Sequence, residues 1–298
     1  MGSPENPTHG KWGAVYALRP NGFSGAGLND ATWGTEFSGA ATAYYEVVID
    51  LAAATDTFKW RKNGGAWTED VAITGAAQTL DEGQKITFAA TTGHTLNDQW
   101  VIGNLKAEGT TESGTEAQIT AAGNRLINPN APPTWTDDGG KVVQRVNFTN
   151  GKAVFSGNVG TVTVAGNNGF IPAAALQKVG YLIDWSLNLN LDMADISSQG
   201  DVWKTALPVM GGGSGSAGAY FVATQTMLKN LQATLSAGGA KFFLLQLFNY
   251  DPDQDQTGDH FNVWATITGW NAASGVGEVV KQTVNFQVEG EISFTADA

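Results

Sequence analysis

The 298-residue chain contains no cysteine, which excludes disulfides, thiolate catalysis and cysteine-ligated metals. It has only 3 histidines, and charged residues make up 15% of it, against roughly 25% in an ordinary globular chain. No stretch approaches the roughly 18 consecutive apolar residues of a membrane span. Residues 1–7 also lack the basic and apolar regions of a secretory signal. We therefore expect a soluble subunit with no membrane association.

Glycine and tryptophan are abundant instead, with 38 and 10 residues, and 42% of the chain is hydrophobic. This mixture is typical of short strands joined by tight turns around a core filled by indole rings, and the length suits two domains. The 16 basic and 28 acidic residues give a formal charge of -12. An acidic surface repels phosphate, which argues against gripping duplex DNA but not against DNA that passes without binding.

Alternation with a period of two dominates the first 106 residues. Tyr45, Val47 and Ile49 alternate with other residues, and Asn63 followed by Gly64 is a turn signal. The pattern predicts a small N-terminal antiparallel β domain over 1–106. Gly, Thr, Glu, Ser and Asn then dominate 107–134, which is predicted to be a linker before a second domain at 135–298.

The second domain carries the strongest alternation in the chain. Apolar and polar residues alternate over 183–193 and again over 280–294, which predicts two long strands, each with one buried and one solvated face. The run 242–248 predicts a strand buried on both faces. A Gly/Ser loop at 211–218 precedes one predicted helix, in which Met227, Leu228, Leu231 and Leu235 share an apolar side.

Motifs for catalysis or metal binding are incomplete, so we predict no catalytic residue and no cofactor. The serine in 212–216 lacks the last glycine of a nucleophile elbow, and the glycine pattern in 213–218 lies outside any βαβ unit. Asp251, Asp253 and Asp255 are a weak calcium candidate, because the EF-hand positions for Gly and Glu hold other residues. A solvated acidic turn is the competing interpretation. We expect His94, at a predicted turn, to make local hydrogen bonds.

The C-terminal part, 135–298, resembles the major tail tube proteins of long-tailed bacteriophages. The likeness is carried by the strand 181–191, by 196–204 with Leu207, Pro208 and the Gly/Ser loop, and by the ending at 266–270 and 279–291. The resemblance implies a β-sandwich or half-barrel with one flanking helix. It also implies hexameric rings that stack into a tube, with the inner strands of each ring forming a continuous β-barrel.

The two long strands supply the candidate site residues. Their polar faces would line the channel of such a tube, where amides and carboxylates repel phosphate and let DNA slide. The candidates for the lumen are Asp184, Asn188, Asn190, Asp192, Asn285, Gln287, Glu289 and Glu291. The candidates for contacts between subunits are Gly212 and Ser214, together with Trp12, Tyr16 and Phe23 on an N-terminal arm.

The main functional hypothesis is therefore a non-enzymatic subunit of a phage tail tube, made in the host cytoplasm and located in the virion tail. Its expected partners are further copies of itself, the tape measure, tail completion and tip proteins, and DNA that passes without specific binding. Residues 1–106 resemble a β domain found beside phage structural proteins. A carbohydrate-binding surface or adhesin module, using Trp33 or Trp67, is the alternative, and a glycosidase with two carboxylates is a third hypothesis.

Overall fold

The computed structural model of the chain describes residues 14–17, 22–121, 125–178, 181–195, 206–220, 243–248, 259–273 and 280–295. These residues are mainly β-strand, as predicted, with one short 3₁₀ helix at Ala173–Ala175. The strands are β1 Ala14–Ala17, β2 Phe23–Ser24, β3 Ala31–Trp33, β4 Ala43–Leu51, β5 Thr57–Lys62, β6 Thr68–Ala72, β7 Gln78–Thr79, β8 Lys85–Phe88, β9 Gln99–Ser113, β10 Glu116–Ile119, β11 Thr134–Asp137, β12 Val143–Asn147, β13 Lys152–Phe155, β14 Val162–Gly166, β15 Gln177–Lys178, β16 Tyr181–Asp195, β17 Ala206–Tyr220, β18 Phe243–Phe248, β19 His260–Ala273, β20 Lys281–Val288 and β21 Ser293–Thr295. The described residues include no helix with the length and apolarity that crossing a bilayer requires.

The chain divides into two compact units, and the division differs from the predicted one. Unit 1 comprises Met1–Tyr16 and Lys178–Ala298, and unit 2 comprises Ala17–Gln177. The predicted linker at 107–134 lies inside unit 2, because β9 runs through residue 106 without a break. The first half of β9 pairs with β4, and the second half of β9 pairs with β14 and β10. The polar composition of this segment conceals buried positions such as Ala117 and Ile119.

Unit 2 contains a ten-stranded sheet and a three-stranded sheet of order β3-β8-β7. The main path of the larger sheet is β12-β13-β10-β9-β4-β5-β6. Asn63 and Gly64 have φ angles of 49° and 68° in the turn from β5 to β6, which explains the predicted Asn-Gly turn. Trp100 is fully buried in the core with Phe58 and Phe88.

Phe23 belongs to this core, so its predicted role on a docking arm is wrong. It is 3% exposed, and its ring centroid lies 4.9 Å from that of Trp100. Period-two patterning does not reveal this burial, because β2 has only two residues. Tyr16 lies in β1, where only the backbone is described, and Trp12 lies outside the described residues.

Two buried acidic groups fix the loops beside this core. The Asp98 carboxylate accepts hydrogen bonds from the backbone N–H groups of Ala26, Gly27 and Thr95. The His94 ring nitrogens lie 2.9 Å from carboxylate oxygens of Asp56 and Asp30. His94 therefore makes hydrogen bonds within the framework of unit 2, but its ring partners are 38 and 64 residues away in the sequence, so the prediction of local hydrogen bonds is wrong.

This arrangement predicts acid-sensitive stability. Burial alone would raise the pKa of the Asp56 carboxyl, but hydrogen bonds from the Ala53 and His94 N–H groups and the His94 ring lower that pKa. A carboxyl with a lowered folded-state pKa stabilises the fold fully above its unfolded pKa, about 3.9, and loses that contribution as the pH falls through the folded-state pKa.

We expect Asp56→Asn to lower the free energy of unfolding at neutral pH by about 1–3 kcal/mol, because a buried charged acceptor is lost. The variant should also show a flatter loss of stability below about pH 4. Urea denaturation across a pH series measures both effects. Asp70→Asn is the control, since Asp70 is exposed and its side chain accepts no hydrogen bond in the described part of the chain. Equal pH profiles for the two variants would contradict the assignment.

Unit 1 contains an eight-stranded half-barrel sheet with the path β15-β1-β18-β19-β20-β17-β16, on which β21 also pairs with β19. Strand β18 is buried at every position, which confirms the prediction for 243–248; residue 242 lies outside the described residues. The predicted Gly/Ser loop at 211–218 is instead part of β17, which pairs with β16 on one side and β20 on the other. The predicted helix lies outside the described residues.

The predicted long final strand is interrupted. Strand β20 ends at Val288, and β21 then continues the pairing along β19 from Ser293. Four residues, 289–292, therefore lie opposite only two residues of β19, and Gly290 has a φ of 84°. A left-handed backbone at this glycine lets the chain bulge and return to the same neighbour.

Candidate functional site

The register of the unit 1 sheet places the polar residues of three adjacent strands on one face. Ser186 lies opposite Ser216, which lies opposite Asn285, while Asn188 lies opposite Ser214 and then Gln287. Residues that lie directly opposite one another in antiparallel strands share a face. We call this surface the polar face; it comprises Asp184, Ser186, Asn188, Asn190, Ser214, Ser216, Asn285 and Gln287.

The polar face is solvated and hydrogen-bonded within itself. All of its residues are exposed except Ser216, which is half-buried. The Ser186 and Ser216 hydroxyls lie 3.0 Å apart, and the Gln287 amide donates to the Gly213 carbonyl at 2.7 Å. A Cβ on Gly218 would lie 2.5 Å from an Asp184 carboxylate oxygen, so the glycine gives this carboxylate room. The surface is thus an array of amides and hydroxyls with one described carboxylate, that of Asp184.

The structure brings five of the eight lumen candidates together on this face: Asp184, Asn188, Asn190, Asn285 and Gln287. Asp192 belongs to β16, but its side chain lies outside the described residues. Glu289 and Glu291 do not belong to the array, since both lie in the four-residue interruption after β20. The sequence does not reveal this break, because Glu289, Gly290 and Glu291 continue the alternation with a period of two.

Unit 1, which carries the polar face, has more acidic than basic residues. Lys281, at the start of β20, is exposed and lies opposite Tyr220. Unit 1 as a whole has 6 basic and 13 acidic residues. A surface of this kind offers no cluster of cations to a phosphate backbone.

The opposite face of the same strands is apolar, and it is only partly covered. Val284 and Phe286 of β20 are buried, and Trp185 is half-buried, with its indole N–H donating to the Phe248 carbonyl at 2.9 Å. Farther along β16, Leu189 is 62% exposed and Leu191 is 56% exposed. The prediction that one complete face of this strand is buried within the chain is therefore wrong for these two leucines.

The outer edge of β16 is also unpaired among the strands that the structure describes. This 15-residue strand is the last one in the sheet, and no described strand pairs with its other side. Its register is regular from Asp184 to Asp192, a stretch without proline, lysine or arginine. Soluble proteins normally protect such edges with those residues, or with a bulge or a covering segment, because an open edge recruits another strand.

Subunit contacts predicted for Gly212 and Ser214 remain predictions. Both lie in β17 opposite Asn190 and Asn188, where Gly212 is half-buried and Ser214 is exposed. In the second predicted long strand, β20 has no open edge, because it pairs with β17 on one side and β19 on the other, whereas β21 pairs with β19 alone among the described strands. The sequence did not predict the pairing of β20 with β17, because the Gly/Ser segment of β17 was predicted to be a loop.

The described residues contain no group of three or more His, Asp or Glu side chains arranged to hold a metal ion. The weak calcium candidates Asp251, Asp253 and Asp255 lie outside the described residues. The tryptophans proposed for sugar stacking are not open platforms. Trp33 packs against the core of unit 2, and the Trp67 ring lies 4.4 Å from the Arg61 guanidinium carbon and 5.0 Å from the Lys59 ammonium.

No protein-family model and no curated protein matches this chain. Among solved structures, a chain from the tail of an empty gene transfer agent particle with C6 symmetry is 19% identical, with a TM-score of 0.34, over 42% of this chain and 89% of that chain. A chain from a native gene transfer agent virion is 18% identical, with a TM-score of 0.33, over 41% of this chain and 89% of that one. A chain from the baseplate of the anti-feeding prophage is 10% identical, with a TM-score of 0.32, over 42% and 86%.

Proposed function

We propose that this protein is a structural subunit of a phage tail tube. Copies join side by side through β16 into rings, the rings stack, and the polar face lines the channel through which DNA leaves the virion. The observation that carries the proposal is the state of β16, which has an open edge, a solvated polar face and two exposed leucines. In the described part of unit 1, this strand therefore has no partner along one edge and leaves two leucines exposed.

A second copy of the chain is the partner that this strand fits. The β16 edge offers a regular backbone ladder, and pairing it with a different surface of the next copy makes a head-to-tail contact, which closes into a ring when the rotation between copies allows. The tail-tube resemblance of the sequence implies six copies per ring. Burying a leucine side chain completely contributes about 1.5–3 kcal/mol, so covering Leu189 and Leu191 adds to every interface of the ring.

The chemistry of the polar face suits a channel for DNA. Amides, hydroxyls and one described carboxylate cannot neutralise a run of phosphates, so DNA binds them weakly and slides. Asp192 would add a second carboxylate to this wall. The same proposal places the protein in the virion tail, next to the tape measure, completion and tip proteins, and gives it no enzymatic activity.

Negative-stain microscopy of the purified full-length chain over a concentration series tests the assembly. We expect rings or hollow tubes that become more frequent with concentration. A chain that stays monomeric at the highest concentration reached would overturn the proposal. The absence of native cysteine supplies a direct test of which face lines the channel, because one introduced cysteine is a unique label.

Asn188→Cys places that label on the polar face, and Thr111→Cys places it on an exposed residue of β9 in unit 2. In tubes, we expect a small maleimide to reach both positions, whereas a long polyethylene-glycol maleimide should label only the Thr111→Cys variant. In monomers the long reagent should label both. Equal labelling of both positions in intact tubes would show that the polar face lies outside the channel.

A further inference from the structure

Unit 2 contains an open cleft of about 350 Å³, formed beside β9, β11 and β14. Its lining residues include Phe37, Lys106, Thr134, Thr136, Thr163 and Asn167. A volume of this size lies at the lower end of the range for small-molecule sites, about 300–1,000 Å³. The cleft belongs entirely to unit 2 and is independent of the polar face.

A β-bulge shapes the cleft. Val164 pairs with Glu108 and Gly166 pairs with Leu105, so two residues of β9, Lys106 and Ala107, lie opposite one residue of β14. Ala107 has a φ of 36°, a left-handed conformation that is unfavourable for a residue with a Cβ. Bulges re-aim side chains, and backbone strain of this kind concentrates at ligand sites. Here the bulge brings Lys106 to the wall of the cleft.

In the described part of the chain, the Asn167 side-chain amide donates to the Thr35 carbonyl, whereas the other polar side chains of the cleft have no partner. In the described part of the chain, the hydroxyls of Thr134, Thr136 and Thr163 make no hydrogen bond, and Lys106 makes no ion pair. All three threonines and Lys106 are exposed. Unit 2 has 15 acidic residues, yet none of them lines the cleft. One cation and several neutral hydrogen-bonding groups therefore converge without a carboxylate.

Apolar groups complete the site. Phe37 is half-buried and packs edge-on against Tyr45, with ring centroids 6.3 Å apart, which holds it in place beside the threonines. Leu105, Ala107 and Ala165 supply further apolar wall. A mixed lining of this kind recognises a ligand with one apolar side, several hydroxyls and one negative charge.

We propose that this cleft binds a saccharide unit that carries a carboxylate. The threonine hydroxyls meet the sugar hydroxyls, Phe37 contacts the C–H side of the ring, and Lys106 pairs with the carboxylate. The site differs from the tryptophan surfaces expected from the sequence, and it adds recognition of an acidic glycan to the structural role of the chain.

Titration of the full-length protein with D-glucuronate and with N-acetylneuraminate, followed by ligand-observed NMR and calorimetry, tests the proposal. We expect saturable binding of at least one acidic sugar with one site per chain, and weaker binding of D-glucose, the neutral counterpart of glucuronate. Binding of the acidic sugar should weaken as salt is added, because the pair with Lys106 is exposed to solvent.

Lys106→Gln should weaken binding of the acidic sugar about fivefold and leave glucose binding unchanged, since an exposed ion pair contributes up to about a fivefold difference. Thr136→Val should weaken binding of both sugars, and Lys141→Gln, at an exposed lysine outside the cleft, should change neither. Failure of both acidic sugars to bind saturably would overturn the proposal. Glucose binding as tight as glucuronate binding, or unchanged selectivity in Lys106→Gln, would also overturn it.

Discussion

Replacement of both Leu189 and Leu191 by aspartate will leave the chain folded and abolish its assembly into rings and tubes. The two side chains are 62% and 56% exposed in the single chain, so their replacement removes little of its own core. In a ring, the same change would bury two carboxylates at every interface, where an unpaired charge costs several kcal/mol. Microscopy and sedimentation velocity measure assembly, and circular dichroism reports folding.

Leu96→Asp is the matched control for this experiment. Leu96 is 53% exposed, but it belongs to a loop of unit 2 rather than to β16. We expect this variant to form tubes as readily as the parent chain. Normal tubes from the double variant would show that the apolar face of β16 takes no part in assembly.

Gly215→Ala will cause the largest loss of folding stability among single methyl additions to β17. A Cβ at this position would lie 2.3 Å from the Phe286 ring and 2.3 Å from the Ser186 carbonyl oxygen. Phe286 is buried, so neither the ring nor the β16 backbone moves without disturbing the sheet. We expect the free energy of unfolding to fall by about 2–3 kcal/mol, as in other overpacked cores, measured by urea denaturation.

Gly211→Ala provides the comparison on the same strand. Gly211 lies on the same side of β17 as Gly215, but no atom lies within 4 Å of the position where its Cβ would stand. We expect a change of less than about 0.5 kcal/mol, because an exposed substitution without a clash is nearly neutral. Equal losses for the two variants would mean that Phe286 does not restrict β17.

The sequence alone predicts the strands whose own apolar and polar residues show which of their faces is polar and which is apolar. Strand β18 is apolar except for Gln246, whose amide donates to the Asn262 side chain, because both of its faces are covered; every position is buried. Strand β16 reads as strict alternation because one face is polar. The sequence cannot say whether an apolar face is covered by the same chain, and at Leu189 and Leu191 it is not.

Strand β17 could not be predicted because its own residues do not favour a strand. Glycine and serine have low β propensity, and a Gly/Ser stretch is ordinarily a loop. In the fold, the neighbouring strands favour glycine in β17. The side chains of Phe286 and Leu189 extend over its glycines and occupy the space that a Cβ would need. Five of the candidate lumen residues share a face only because this strand aligns β16 with β20.

The linker predicted at 107–134 begins as part of β9, and the sequence does not reveal this for a similar reason. The segment after residue 106 is rich in Thr, Glu and Gly, a composition typical of linkers, yet β9 gives it partners on both sides. The bulge at Lys106 and Ala107 has no sequence signature of its own, because the strained residue is an alanine rather than a glycine. The cleft beside this bulge therefore could not be predicted from the sequence.

The uninterrupted course of β9 has a mechanical consequence. One end of this strand is hydrogen-bonded to β4 and the other to β10 and β14, so the two halves of unit 2 share a single backbone. Unfolding of either half breaks backbone hydrogen bonds along β9 and therefore destabilises the other half of unit 2. We therefore expect unit 2 to unfold under force in a single step rather than in two.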